Sequence, residues 1–392
     1  MSTPVGDVSR GGQSIDEIGA PAKVALASVG DPRSPATWSG VTAGILSGLR
    51  ELGVATRALD LALPRRLEQA LLVGAAAPTR NRYDAEGAPL TMRTRSLLAR
   101  RQLKGASVDG VIQIGTTFSL PCGVRYVTLE DMTLRQAASS HPVFSRMSGP
   151  AIESWEQRRA EIYGRAIMCA VASHWAGESL RADYGIAPTR VAVVGFGANH
   201  RTNVPDRDWS SPRFLFVGID WQRKGGPQVL SAFSRVRRVI PTATLDVVGG
   251  HPPLEEPGVN AHGVLSQARD RDREIMLELF ARATCFVMPS LIEPFGIAYV
   301  EAASAGVPSI ASSVGGPRDV IGHDGGIVVE PDDAEGLVEA MLRLADPDRA
   351  QRMGEAARER STLYTWPKVA ERLLRALGLQ APDGRELAEF LL

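Results

Sequence analysis

Residues 289–321 read PSLIEPFGIAYVEAASAGVPSIASSVGGPRDVI. The apolar run 285–288 just before them has the composition of a buried strand. A loop then presents Glu293, and Phe295 and Gly296 open a helix that carries Glu301. Gly306 can close that helix and Pro308 prevents its continuation before the next apolar run at 309–311. Strand, loop, helix, strand is a parallel βαβ unit. The exposed amides at the helix start, together with the helix dipole, make an anion site. Gly296 lets a ligand approach the backbone closely. Glu293 and Glu301 are eight residues apart, ~12 Å along the axis if all were helical. Carboxylates accept hydroxyl hydrogen bonds, which suits sugars and ribose. Two glutamates so spaced also describe a solvated helix face.

The same alternation runs through the chain. Candidate strands are 23–29, 110–114, 124–129, 167–172 and 190–194 in the first half, then 214–217, 244–248, 285–288, 309–311 and 327–329 in the second. In the second half Pro227 suits a first helical position, with Val229, Leu230, Phe233, Val236 and Ile240 at helical spacing after it. Asp332 and Asp333 introduce a helix whose Leu337, Met341 and Leu344 form an apolar stripe. Residues 199–212 (NHRTNVPDRDWSSP) are polar and lack periodicity, which is linker composition. The expected fold is α/β, with two doubly wound domains facing across a cleft. Ligands sit outside the carboxyl ends of such strands. The expected divisions are a disordered leader at 1–21, domains at 22–200 and 201–365, and a C-terminal helix and tail at 366–392 that packs back on the first domain.

The bulk numbers bound the function. The 392 residues carry 44 basic and 44 acidic side chains. That balance argues against a nucleic-acid binder, and no basic run interleaves with aromatics. Cys122, Cys169 and Cys285 are far apart and odd in number, which suits a reducing cytoplasm rather than a disulfide or zinc framework. The N-terminal residues have no basic start followed by an apolar core, so they do not read as a signal peptide. No apolar run approaches the ~18 residues that span a bilayer. Any membrane contact would be peripheral, through the amphipathic 366–377 helix.

EPFGIAYVEA (293–302) looks like the E-x7-E signature of family 4 retaining glycosyltransferases of the GT-B fold. The likeness extends to FVGIDWQRKGG (216–226), AHGVL (261–265), ATCFVMPSLIEPFG (283–296), AGVPSIASSVGG (305–316) and YTW (364–366). It implies two Rossmann-like domains and transfer of a sugar from a nucleotide diphosphate to a small-molecule, glycan or lipid-linked acceptor. By position, Glu301 resembles the residue that binds donor ribose hydroxyls and Glu293 the one that contacts the transferred sugar. The amides around Phe295, Gly296 and Ile297 would meet sugar and diphosphate. Val264 resembles the position whose backbone reads the base. Lys224 matches the family's diphosphate lysine. The family's arginine position is Ile219 here, so either Arg223 supplies the second charge or the diphosphate is held more weakly. No catalytic divalent metal and no other cofactor is expected. The aspartates of 206–208 and 270–272 lie in the linker and in a charged run, as solvated faces. A non-transferring enzyme of this architecture, an epimerase or pseudo-glycosyltransferase, and a catalytically silent binding subunit are the alternatives.

In the first half, SPATWSGVTAGILSG (34–48) places a glycine-bearing loop before a helix. Gly40 is the candidate for phosphate approach, with a plain strand–helix turn as the other reading. In YVTLEDMT (126–133) Glu130 and Asp131 stand where many family members have a histidine. Asp131 is the candidate sugar-hydroxyl ligand, in competition with an N-cap role. In VASHWAGESL (171–180) Ser173 reads as a helix cap and His174 as a structural residue. Gly197, in a turn like the family's glycine turn before the linker, is expected to face the cleft.

Overall fold

The computed structural model describes residues 22–75, 86–140, 147, 149–200 and 206–391. The leader expected at 1–21 lies outside them. Two six-stranded sheets, all parallel, organise the described residues.

The first sheet holds β1 (Lys23–Ser28), β2 (Ala55–Asp60), β3 (Gly110–Ile114), β4 (Tyr126–Glu130), β5 (Met168–Val171) and β6 (Val191–Val193), in the order β2-β1-β3-β4-β5-β6. Around it lie α1 (Val41–Glu51), α2 (Arg65–Ala75), α3 (Pro89–Leu103), α4 (Leu134–Ser140), α5 (Gly149–Arg165) and α6 (His174–Ala182). The second sheet holds β7 (Arg213–Gly218), β8 (Thr244–Gly249), β9 (Val259–Gly263), β10 (Cys285–Met288), β11 (Ser309–Ser312) and β12 (Gly326–Val329). Its order is β12-β11-β10-β7-β8-β9. Its helices are α7 (Gly226–Val239), α8 (Asp270–Arg282), α9 (Ile297–Ser304), α10 (Pro317–Ile321), α11 (Ala334–Arg343) and α12 (Pro347–Ser361). α13 (Trp366–Leu377) follows.

Each sheet reverses its winding once, between β1 and β3 and between β7 and β10. The crevice at such a switch point is where open α/β sheets bind ligands. All ten expected strands are present, two with the expected bounds and the others with an end shifted by a residue or two. Two more, β2 and β9, were not legible. Both are edge strands without a continuous apolar run, ATRALD and VNAHG, the first mostly exposed and the second half-buried. Central strands covered on both faces, such as β10 (CFVM, every residue buried), give the continuous apolar run that a sequence shows.

α13 lies against α1, where two glycines make room for it. A Cβ on Gly44 would fall 2.1 Å from the Trp366 ring, and one on Gly48 2.3 Å from the Trp366 carbonyl oxygen. Arg372, 2% exposed, donates to the carbonyls of Val194, Leu363 and Glu389. Leu391 N–H donates to the Val193 carbonyl. Farther along the interdomain seam, Ser173 caps α6 through the Ala176 amide and also donates to the Pro294 carbonyl at 3.2 Å. His174 meets Asp319 through both its amide and its ring Nδ1, and that carboxylate raises the imidazole pKa.

Candidate functional site

β7 ends at Gly218, and the chain turns through Ile219–Gly225 before entering α7. Asp220 fastens the turn: its carbonyl accepts from Lys224 N–H at 2.9 Å and its side chain from Arg223 N–H at 3.2 Å. Gly225 takes φ +80 as the helix cap, a conformation open to glycine. β10, the neighbouring strand, ends alongside, and its loop is stitched to this turn. Arg223 Nη1 donates to the Ile292 carbonyl at 3.0 Å, while the Arg223 carbonyl accepts from Leu291 N–H at 2.8 Å. Lys224 Nζ forms an ion pair with Glu293, both largely buried. Ser290 Oγ donates to the same carboxylate at 3.3 Å. The Glu293 carbonyl accepts from Gly316 N–H at 3.0 Å, which pins the loop to the end of β11.

Gly296, at φ +86, caps α9. A Cβ there would fall 2.4 Å from the Tyr299 ring, so the position admits no side chain. Gly296, Ile297 and Ala298 open onto a cleft of about 450 Å³ that Lys224, Arg223 and Glu293 also line. The lysine and the helix start therefore face one space, with the helix start carrying unpaired amides and about half a positive charge. Glu301 lies one turn deeper and is 7% exposed. Its Oε1 has no hydrogen-bond partner among the described residues. Burial pushes its carboxyl up to about 8 against the pull of the His200 and Asn199 amides. An unpaired buried carboxyl oxygen is costly, and hydroxyls of a bound ligand would satisfy it.

The first domain contributes Trp38, Ser39, Asp131 and Met132 to the cleft. Asp131 is raised to about 6, by burial first and then by Glu130 and Glu293. It is not a helix cap. Thr133 fills that role, its Oγ1 accepting from Gln136 N–H while Gln136 Oε1 accepts from Thr133 N–H. Trp38 and Ser39 have φ 49 and 53, the only non-glycine residues with positive φ among those described. Nothing in the sequence signals that conformation. The Ser39 carbonyl accepts from Asn199 at 2.9 Å, and Trp38 Cζ2 lies against Gly115.

Three expected residues stand elsewhere. Gly197 does not face the cleft; it packs on Trp366, whose ring and amide leave no room for a Cβ. Its neighbours Phe196 and Asn199 line the cleft instead. Gly40 is buried beneath the loop at φ +86, where a Cβ would meet the Asn199 side chain at 2.9 Å. It serves the turn, and Trp38, Ser39 and Val41 form the wall. Val264 is 54% exposed, and the residues that line the adjoining recess of about 140 Å³ are Leu265, Ser266 and Gln267, with Ile219 and Glu301 opposite. Ile219 itself is 66% exposed at the mouth. Asp272 is largely buried and accepts from Ser266 N–H at 2.7 Å, so it holds that loop rather than a solvated face. Among the described residues no group of three or more His, Cys, Asp or Glu is placed to hold a metal. None of their helices is long and apolar enough to cross a membrane.

Two parallel sheets facing across one cleft, with the second wound in dinucleotide-binding order, define a GT-B protein. Sucrose-phosphate synthase from Thermosynechococcus elongatus superposes with a TM-score of 0.67 at 20% identity, over 90% of this chain and 98% of that one. Residues 211–346 match the family model of glycosyl transferases group 1, so the second domain carries that module. Glycogen synthase of Mycobacterium tuberculosis is 31% identical over 238 residues, 56% of this chain and 54% of its own length. Alpha-maltose-1-phosphate synthase of Mycolicibacterium smegmatis is 32% identical over 260 residues, 58% of this chain and 66% of its own length. The chain thus spans about half to two thirds of the length of these curated relatives.

Proposed function

We propose that the protein is a retaining glycosyltransferase, similar to family 4, that moves a sugar from a nucleotide diphosphate to an acceptor hydroxyl. The observation that carries this reading is the convergence of Lys224, Glu293 and the start of α9 on one cleft, with the unpartnered Glu301 Oε1 one turn deeper. The nucleotide lies on the second domain, its ribose hydroxyls donating to Glu301. The base occupies the recess beside Leu265, Ser266 and Gln267. Lys224 and the α9 amides meet the diphosphate, whose negative charge grows as the bond from sugar C1 breaks and its electron pair moves to the phosphate oxygen. Those groups take the place of a divalent metal. Arg223 donates to the Ile292 carbonyl and pairs with Asp220, though its Nε has no hydrogen-bond partner; its part is to place Lys224 and Glu293.

The acceptor oxygen attacks C1 from the face the diphosphate leaves, and its proton passes to the departing phosphate oxygen. Configuration is retained and no dedicated protein base is needed. Asp131, across the cleft, binds a hydroxyl of the transferred sugar. Contact between the lobes excludes water that would otherwise hydrolyse the donor.

A thermal-shift panel of UDP-, GDP- and ADP-sugars identifies the donor, because a ligand that binds only the folded state stabilises it by about 2.7 kcal/mol at a hundred times its Kd. Radiolabelled transfer with that donor, lost in Lys224→Ala, supports the reading. Nucleotide binding with no transfer to any acceptor fraction would identify a silent subunit instead.

A further inference from the structure

A second cavity, of about 260 Å³, opens off the cleft into the first domain and shares Trp38, Asp131 and Met132 with it. Its inner wall holds two buried arginines, Arg95 at 1% and Arg159 at 8% exposure. Both are incompletely partnered. Arg95 Nη2 stands 3.7 Å from Glu68, but Nε and Nη1 have no hydrogen-bond partner. Arg159 Nη1 reaches Glu130 at 3.4 Å and its plane lies 4.8 Å over the Trp155 ring, yet its Nε has no partner either.

Three carboxylates share the cavity with them, Glu86, Glu130 and Asp131, yet Arg95 Nε and Nη1 and Arg159 Nε still meet no acceptor. Glu130 already accepts from Thr116 Oγ1 at 2.6 Å, from the Tyr163 hydroxyl and from Arg159. Burial lowers the Arg95 pKa, against the opposing pull of Glu86 and Glu68. A buried guanidinium with free N–H groups is unfavourable until something supplies lone pairs. A neutral hydroxyl offers one contact at a time. A phosphate or carboxylate matches the fork of a guanidinium with several charge-assisted bonds. The volume is below that of drug-sized sites, which suits a small polar molecule.

Resting on the transferase reading above, we propose that this cavity holds the acceptor by an anionic phosphate or carboxylate group bound to Arg95 and Arg159. The acceptor's hydroxyl then reaches the cleft past Asp131, whose position between the two spaces sets its approach to the donor sugar.

The test uses the full chain saturated with whichever of ADP, GDP and UDP stabilises it. Glucose 6-phosphate, glucuronate and glucose are titrated calorimetrically. The expected result is that one of the two anionic probes binds at least tenfold more tightly than glucose; which one does so separates phosphate from carboxylate. Arg95→Met and Arg159→Gln should each bring that affinity down to the glucose level, while nucleoside diphosphate affinity stays within twofold. Arg95→Lys keeps the charge without the fork, and an intermediate loss is expected if the other variants do not fold. Glucose binding as tightly as both anions, no binding by any probe, or anion binding unchanged in the arginine variants would overturn the proposal. Should no nucleoside diphosphate bind, the transferase reading fails on its own, and the same titrations without nucleotide still decide the cavity.

Discussion

The two walls of the cleft are built differently. On the second-domain wall nearly every polar group is spoken for: Lys224 by Glu293, Arg223 by Ile292 and Asp220, Glu293 by Ser290 and Gly316. Among the described residues, Glu301 Oε1 and Arg223 Nε are the atoms of that wall without a hydrogen-bond partner. On the first-domain wall Trp38 and Ser39 sit in left-handed backbone, Asp131 is raised to about 6, and Arg95 and Arg159 carry unpaired donors. One wall is pre-organised around charge it already balances; the other has polar groups still to be satisfied. A donor of fixed chemistry suits the first, and a particular acceptor suits the second.

Lys224→Ala attacks the organised wall and should have the largest effect. Losing one donor to a developing oxyanion typically costs about 10²–10³ in rate, so kcat should fall by that much in a transfer assay with KM for the acceptor little changed. A fall confined to the acceptor KM would move the lysine's role to the other wall.

Glu301→Gln comes next. It should weaken nucleotide-sugar binding severalfold, up to about tenfold, read by calorimetry, because a hydrogen bond to a neutral carboxyl contributes about 0.5–1.5 kcal/mol. It should also change the pH dependence of stability. The Glu301 carboxyl is raised from 4.5 to about 8 in the folded chain. Its contribution is therefore fully present below pH 4.5 and is lost as pH rises toward 8. The Tm of the Gln variant should rise relative to wild type across that window, without ligand; parallel Tm curves would show that Glu301 is not held protonated.

How much of this was legible follows the same division. The E-P-F-G run, Lys224 and Glu301 show in the sequence because each local choice serves one strand–loop–helix unit. On the first-domain wall the sequence offered Asp131, but residues 38–39, 95 and 159 come from segments far apart, and long-range proximity leaves no local pattern. Gly197 and Gly40 were misplaced because a glycine signals close approach without naming what approaches: Trp366 in one case and Asn199 in the other. The edge strands β2 and β9 escaped for lack of a continuous apolar run.

Two smaller effects sharpen the contrast. Gly48→Ala forces a methyl onto the Trp366 backbone, and overpacking of this kind costs about 1–3 kcal/mol. The drop should appear in thermal unfolding; an unchanged Tm would mean that α13 moves aside freely. Ser39→Gly relieves a left-handed residue at φ 53 and should stabilise the chain by about 1 kcal/mol. A loss instead would show that the serine side chain has a structural role the backbone conformation does not reveal.

The grip of Lys224 and the α9 start on a diphosphate is tested most directly by calorimetry with the nucleoside diphosphate and the matching nucleoside. The diphosphate should bind wild type at least tenfold more tightly than the nucleoside, and Lys224→Ala should remove most of that advantage while nucleoside affinity holds. Equal affinities of the two ligands for wild type, or a diphosphate advantage untouched by Lys224→Ala, would contradict the account.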